Sequence, residues 1–544
     1  MAVKAFGFVN GRIYTSFVPL KTASSIVIFG DRIVYVGDVD KAMSLTSMLG
    51  GQLVDLDGLT MMPGFIDTHM HVDMLGMSLR SVDLRGVRSI EEMKKSVKEF
   101  YERNRSLSWI FGRGWDQELF EEKRWPNRHD LDEVIPDKPV FLERFCTHAA
   151  AANSRALELV KSRLDPEFDK YILKDEHGRA TGIVVEDAVK VFRENIQFAE
   201  QDMALMMLDA LKYAASLGVT TVGFVACSLY AFKLLQMLNQ REGLPIRVRA
   251  YVNAESLNDL LNAGIRRSFG DASLKIMGIK IFSDGSLGAH TAWLSEPYQD
   301  FPVSRGTPTI EREKLVQLVH QAHRNGLQLA IHAIGDQAID LVLDAYGRLG
   351  ERLHQHRHRI EHASVLRRDQ LQKLAELGLA VSVQPHFVIS DWWVVKRLGE
   401  KRAGWIYTFK SMADRGVALG FSSDCPVEPL NPWETIYAAV SRGREEKLEL
   451  YDYTSHEVFS TAEALHLHTQ TSAYLLFEEQ NLGTLEAGKY ADFIVVDKDP
   501  MELGVQDLRN IKVLMTVVSG KIACVNKDYF DDLNISSVTI RKQG

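Results

Sequence analysis

The chain predicts an α/β protein: a (β/α)8 barrel of the TIM type, a small β-sandwich built from both termini, and a large insertion after the first barrel strand. Three observations lead there. Eight apolar, strand-like segments recur along the chain, most of them preceded by a segment of helical period. Stretches rich in strand formers and tight turns lie near both ends and flank a long middle. Residues 75–200 break the alternating rhythm without starting a repeat.

The termini come first. FGFVNGRIYT places Asn10-Gly11 between apolar runs, a hairpin signal, and SSIVIFGDRIVYVGD repeats it around Gly30-Asp31. The same texture returns in NLGTLEAGKYADFIVVDKDP (481–500) and VLMTVVSGKIACV (513–525), so residues 1–60 and 478–530 are expected to share one sandwich. The tail beyond about 530 is expected to be a peripheral strand or partly disordered.

The barrel is expected over 61–477. Its strand candidates are 61–68, VTTVGFV (219–225), IRVRAYV (246–252), LKIMGIKIFS (274–283), LQLAIHA (327–333), HRIEHA (358–363), LAVSVQP (379–385) and VALGFSSD (417–424). Most of these runs are apolar on both faces, as strands of a parallel sheet covered by helices are. DMALMMLDALKYAASLG (202–218) and IEREKLVQLVHQAHRNG (310–326) supply such helices. No GxGxxG loop follows the first strand, which favours a closed barrel over an open nucleotide-binding sheet.

Composition narrows the function. A net charge of −8 with no basic cluster argues against nucleic acid or an anionic membrane as partner. Cys146, Cys227, Cys425 and Cys524 are scattered and form no CxxC pair, which fits a reducing cytosol and excludes a thiolate zinc site. There is no signal-peptide core and no apolar run of the ~18 residues that a span requires. A soluble, cytoplasmic protein acting on a small molecule is expected.

The chemistry starts at MMPGFIDTHMH (61–71). His69 and His71, two residues apart on a strand, point to one face and can reach one metal ion. Alone the pair is as consistent with two unrelated histidines. The strand ends add Lys280 in the fourth strand, His332 ending the fifth, His362 ending the sixth, His386 after the seventh and Asp424 ending the eighth. Functional groups of this fold come from the carboxyl ends of different strands. Singly, His332 or His362 reads as a core histidine, Lys280 as a surface lysine and Asp424 as a turn cap; as a set they point to a metal site. HQHRH (354–358) has a metal-like composition but lies at the opposite end, so a solvated loop is expected, with His320 and His323 on a helix surface.

PGFIDTHMH, KIFSDGSLGAHTA (280–292), HAIGD (332–336), IEHA (360–363), QPHF (384–387) and SSDCPVEP (422–429) resemble the amidohydrolase superfamily. More narrowly they resemble its amidohydrolase-3 branch, with its N-substituted formamide deformylase-like and YtcJ-like members. GRGWDQ (112–117) and GTLEAGKYADFIVVD (483–497) match as well, so the resemblance spans nearly the whole chain. It implies hydrolysis of an amide, N-formyl or cyclic amide C–N bond, and two divalent metals, zinc first, with iron or manganese also suited. His69, His71 and Asp424 would hold one metal and His332 and His362 the second. Lys280, carboxylated on its amine, would bridge them around a shared hydroxide. Asp424 would move the proton from water to leaving amine, and His386 would meet the substrate carbonyl or oxyanion. Asp336 would orient the strand-five loop or a ligand histidine, or touch substrate. Trp115 and Asp116 would line the pocket from the insertion, unless they are a buried Trp and a capping Asp, and His148 would face substrate. A homodimer is the family expectation. Two other readings compete. A mononuclear deaminase of this barrel class needs a Glu in an HxxE pattern after His332, and leaves Lys280 idle. A catalytically degenerate, regulatory metal binder does not need the full ligand set that is present here.

Overall fold

The computed structural model describes residues 4–146, 148–161, 166–196, 198–350 and 353–526; the expected peripheral or disordered tail lies outside them. Eight strands form the barrel: β1 (Phe65–Met70), β2 (Val219–Cys227), β3 (Arg247–Asn253), β4 (Leu274–Phe282), β5 (Gln328–Ala333), β6 (Arg359–His362), β7 (Ala380–Val383) and β8 (Ala418–Phe421). They pair in chain order, each parallel to the next. The seam between first and last is closed beyond the strands proper. Asp424 N donates to His69 O at 2.8 Å and His71 N to Cys425 O at 2.9 Å. Every residue of β1, β5, β6 and β7 is buried, including the polar Asp67 and Thr68 of β1 and Arg359 and Glu361 of β6.

The stretch 61–68, read as one strand, is two. Thr60–Pro63 pairs antiparallel with Phe493–Val496 in the terminal sheet, and β1 starts at Phe65. Gly64 marks the change, where a Cβ would stand 2.2 Å from Thr220 Cγ2. Both halves are buried, so hydrophobicity gives no sign of the break.

The terminal sheet has eight strands. Lys521–Val525, Val513–Val518, Phe493–Val496, Thr60–Pro63, Ala5–Phe17, Leu20–Phe29 and Arg32–Gly37 lie in that order, with Gln52–Asp55 also paired to Ala5–Phe17. Its core takes Phe8, Ile26 and Val54 from one end of the chain and Phe493, Val495 and Leu514 from the other. Gly30-Asp31 makes the expected hairpin turn, with Gly30 at φ 64°. Asn10-Gly11 does not. It sits inside the single strand Ala5–Phe17, where the register shifts between Val9 and Ile13 and Asn10 adopts φ 58°. The pair serves as a bulge that lets the strand's first half meet Gln52–Asp55 and its second half Thr60–Pro63.

Residues Asp73–Ala210 form a compact unit of their own. Their six-stranded sheet runs Ile172–Lys174, Ala180–Val185, Ala149–Ala152, Val140–Arg144, Ile110–Trp115 and Val82–Asp83, with Trp115, Ile110 and Leu142 in its core. No helix among the described residues is long and apolar enough to cross a membrane.

Candidate metal centre and active-site cavity

His69, His71, Lys280, His332, His362 and Asp424 all line one cavity of about 400 Å³ at the carboxyl ends of the barrel strands. The tightest group is at the seam, where Asp424 Oδ1 lies 3.2 Å from His69 Nε2 and 3.1 Å from His71 Nε2. These three donor atoms lie within 4.8 Å of one another, close enough to share one cation. Asp424 reaches this position from a left-handed backbone, φ 58°, and His362 from φ 73°. Each such residue costs about 1–3 kcal/mol and persists because the surroundings fix it, here through the Asp424–His69 and Ala363–Ala333 backbone bonds.

The remote nitrogen of three rings is committed. His69 donates from Nδ1 to buried Glu361, whose other oxygen takes Arg359 Nε. His362 donates from Nδ1 to Gln384 Oε1 at 2.7 Å, and Gln384 Nε2 is itself fixed on Ser422 Oγ at 2.8 Å. His332 donates from Nε2 to the Gly285 carbonyl at 2.9 Å. Each ring keeps one free lone pair in the neutral form, as metal-ligating histidines do when an acceptor holds the opposite N–H. Burial, reinforced by His332, holds His362 well below the ordinary histidine pKa and therefore neutral. Burial pushes Asp424 the other way, but His69, His71 and His362 outweigh it and leave the carboxyl well below its usual range.

Lys280 completes the set. Its Nζ is buried and has no hydrogen-bond partner. Burial brings its pKa down to about 8, against the pull of Glu361 and Asp424. An orphaned buried amine among imidazoles and a carboxylate fits a donor set completed by a divalent cation.

Several residues that hold the site escaped the sequence reading. Asp67 accepts His69 N at 3.0 Å and Ser423 Oγ at 2.6 Å, and burial raises its pKa to about 7. Asp284 accepts the backbone N–H groups of Trp293, Ile334 and Gly335, joining the loops after β4 and β5. Glu361 precedes His362, and neighbouring strand residues should face opposite ways. The positive φ at His362 breaks that alternation and lets both reach the centre. The signal was present, since Asp67 and Glu361 lie inside the same motifs as the ligands.

The remaining predicted residues have partners of their own. His386 donates from Nδ1 to Glu428, which also accepts Ser390 Oγ at 2.7 Å; Glu428, rather than His386, lines the cavity. Asp336 is fully buried and accepts from Ser295 N and Arg367 Nη1, each at 2.9 Å, so it ties loops together. Trp115 is the buried tryptophan of the alternative reading, its Nε1 donating to Leu142 O at 2.8 Å within the insertion's core. Asp116 pairs with Arg144 at 3.0 Å, and exposed His148 turns Nδ1 to Cys146 O at 2.7 Å.

The histidines at the other end are not a solvated loop. His358 is buried and packs with half-buried His323 and His356. Their donor atoms lie as close together as a metal site requires. However, His358 Nδ1 accepts Leu329 N at 3.1 Å, so its proton sits on Nε2 and points to His323 Nδ1 at 3.0 Å. A neutral His358 has no lone pair left for a cation.

A parallel barrel carrying a histidine–carboxylate–lysine set at its strand ends defines a metal-dependent hydrolase. Residues 52–524 match the model of the amidohydrolase family, and the chain belongs to that family. It is similar to YtcJ of Bacillus subtilis (strain 168), a protein whose name places it among the amidohydrolases, with 32% identity over 86% of this chain and 90% of that one. The N-substituted formamide deformylase of Arthrobacter pascens is 26% identical over 94% of this chain and 97% of its own. Among solved structures, an uncharacterized metal-dependent hydrolase from Pyrococcus furiosus superposes with a TM-score of 0.81 at 42% identity, covering 92% of this chain and all of the other.

Proposed function

We propose that this hydrolase cleaves a non-peptide C–N bond, in an amide, an N-formyl amine or a cyclic amide. The deformylase relative supports that bond class. The observation that carries the reading is Lys280, a buried amine without a partner among four histidines and an aspartate. An uncharged amine so placed adds carbon dioxide, and the carbamate is a hard, bidentate anion that supplies charge the imidazoles lack. We assign His69, His71 and Asp424 to one divalent cation, His332 and His362 to a second, and carboxylated Lys280 to both, with zinc as the first candidate. When bound, the metals polarise a carbonyl and let water be deprotonated near neutral pH.

The chain's own residues do the rest. Asp424 turns Oδ1 to both histidines, which leaves Oδ2 to take the water proton and deliver it to the leaving nitrogen. Glu361 and Gln384 keep His69 and His362 in the tautomer that leaves an inner nitrogen bare. The deaminase alternative lacks its shuttle: Ala333-Ile334-Gly335-Asp336 follows His332, and Asp336 is committed to Ser295 and Arg367. Metal analysis with a screen of N-acyl, N-formyl and cyclic amides tests the proposal. Two metals per chain and amine release are expected; ammonia release from an aromatic amidine with one metal bound would favour the deaminase.

A further inference from the structure

The lining of the cavity beyond the metal donors has its own chemistry. Asp391 and Glu428 bring two carboxylates to it, beside the aromatic rings of Phe387 and Tyr407. Lys280 is the one lysine or arginine lining the cavity among the described residues, and it belongs to the metal donors. The nearby guanidinium of Arg397 is spent on Asp300 at 3.1 Å and on the Leu287 and Gly288 carbonyls at 2.6 and 2.7 Å.

The two acids are held differently. Glu428 is saturated, one oxygen on His386 and the other on Ser390. Asp391 takes the Tyr407 hydroxyl on Oδ2, while Oδ1 has no hydrogen-bond partner among the described residues. Burial, with a smaller push from the neighbouring Glu428 charge, raises the Asp391 carboxyl to about 6 against the Tyr407 hydrogen bond and the weaker pull of Arg397.

We infer that Asp391, backed by Glu428 and His386, selects substrates whose amine-side substituent carries an ammonium group, and turns away substrates that carry a carboxylate. The inference rests on the C–N hydrolase reading, which puts the scissile carbonyl at the metal donors, and adds to it that the departing substituent turns toward Asp391. A charge-assisted hydrogen bond from an ammonium to Asp391 Oδ1 would satisfy the bare oxygen, and Phe387 and Tyr407 would present aromatic faces to the same cation. Asp391 is then a specificity-determining residue, and His386 a positioning residue that holds Glu428.

The test needs no turnover. Zinc-loaded, full-length protein is titrated calorimetrically with benzylammonium, benzyl alcohol and benzoate. The ammonium should bind roughly tenfold tighter than the alcohol, with benzoate weakest. Asp391→Asn should collapse the ammonium-to-alcohol ratio to about one while alcohol affinity and zinc content stay as they were. Glu428→Gln should reduce the ratio by a smaller factor and stands in if Asp391→Asn does not fold. The inference is overturned if alcohol or benzoate binds as well as the ammonium. It is equally overturned if the ratio survives both substitutions, which would mean the amine is ligating zinc. Failure to hydrolyse any N-acyl amine with the ratio intact would sink the C–N hydrolase reading and leave the ammonium site standing.

Discussion

Histidines crowd both ends of the barrel, and their hydrogen-bond partners differ between the two ends. At the carboxyl ends of β1, β5 and β6, His69, His332 and His362 each give one ring N–H to a fixed acceptor and keep the other nitrogen bare. At the amino end of β6, His358 spends Nδ1 on a backbone N–H and Nε2 on His323. Ring density is similar, with centroids 4.6 Å apart for His332–His362 and 4.3 Å for His323–His356. The difference lies in the partner. A carboxylate or carbonyl acceptor leaves an imidazole lone pair for a cation, whereas a backbone donor consumes it.

That contrast can be broken from either end, and the largest effect is expected at Lys280. Lys280→Ala should lose one metal equivalent and lower kcat/KM on the order of a thousandfold, with partial recovery in small carboxylates. A signal from added 13C-bicarbonate in the wild-type NMR spectrum, absent in the variant, would mark the carbamate directly. Asp424→Asn should keep much of the metal, measured by mass spectrometry, and lower kcat about 10²–10⁴-fold. Glu361→Gln still accepts from His69 but no longer as an anion, and should weaken metal affinity about 10–100-fold by chelator competition.

The amino-end cluster should answer in stability instead. Burial holds His358 well below its ordinary 6.5, and lowers His323 and His356 as well. Unfolded chains take up protons on these rings as the pH falls below about 6.5 and folded chains do not, so stability falls in that range. His358→Gln keeps an acceptor for Leu329 N, and should flatten the acid limb of the Tm–pH curve while leaving metal content unchanged. Its cost at neutral pH should be about 1–2 kcal/mol by denaturant titration.

How much was legible follows from the same physics. The barrel strands could be read because most of them are apolar on both faces, and the polar β6, Arg359–His362, because it recurs in the same alternation with helical segments. The six residues that line one cavity could be read together because strand order and the fold's polarity put them at one end. The boundary at Gly64 could not, since both sides of it are buried. Asn10-Gly11 has the residues of a turn, and only the pairing of Ala5–Phe17 with two different partners makes it a bulge. Asp391 and Glu428 stand on loops after β7 and β8, and no periodicity says where such side chains point. Trp115 could be read either as pocket lining or as core, because an aromatic in a motif looks the same in either role.

The most direct test of the central claim is an anomalous-diffraction map at the zinc edge from crystals of the zinc-loaded enzyme. The account predicts two peaks, one among His69, His71 and Asp424 and one beside His332 and His362, and ordinary electron density from the same crystals extending from Lys280 Nζ to both. A peak among His323, His356 and His358, or a map empty between His69 and Asp424, would contradict it.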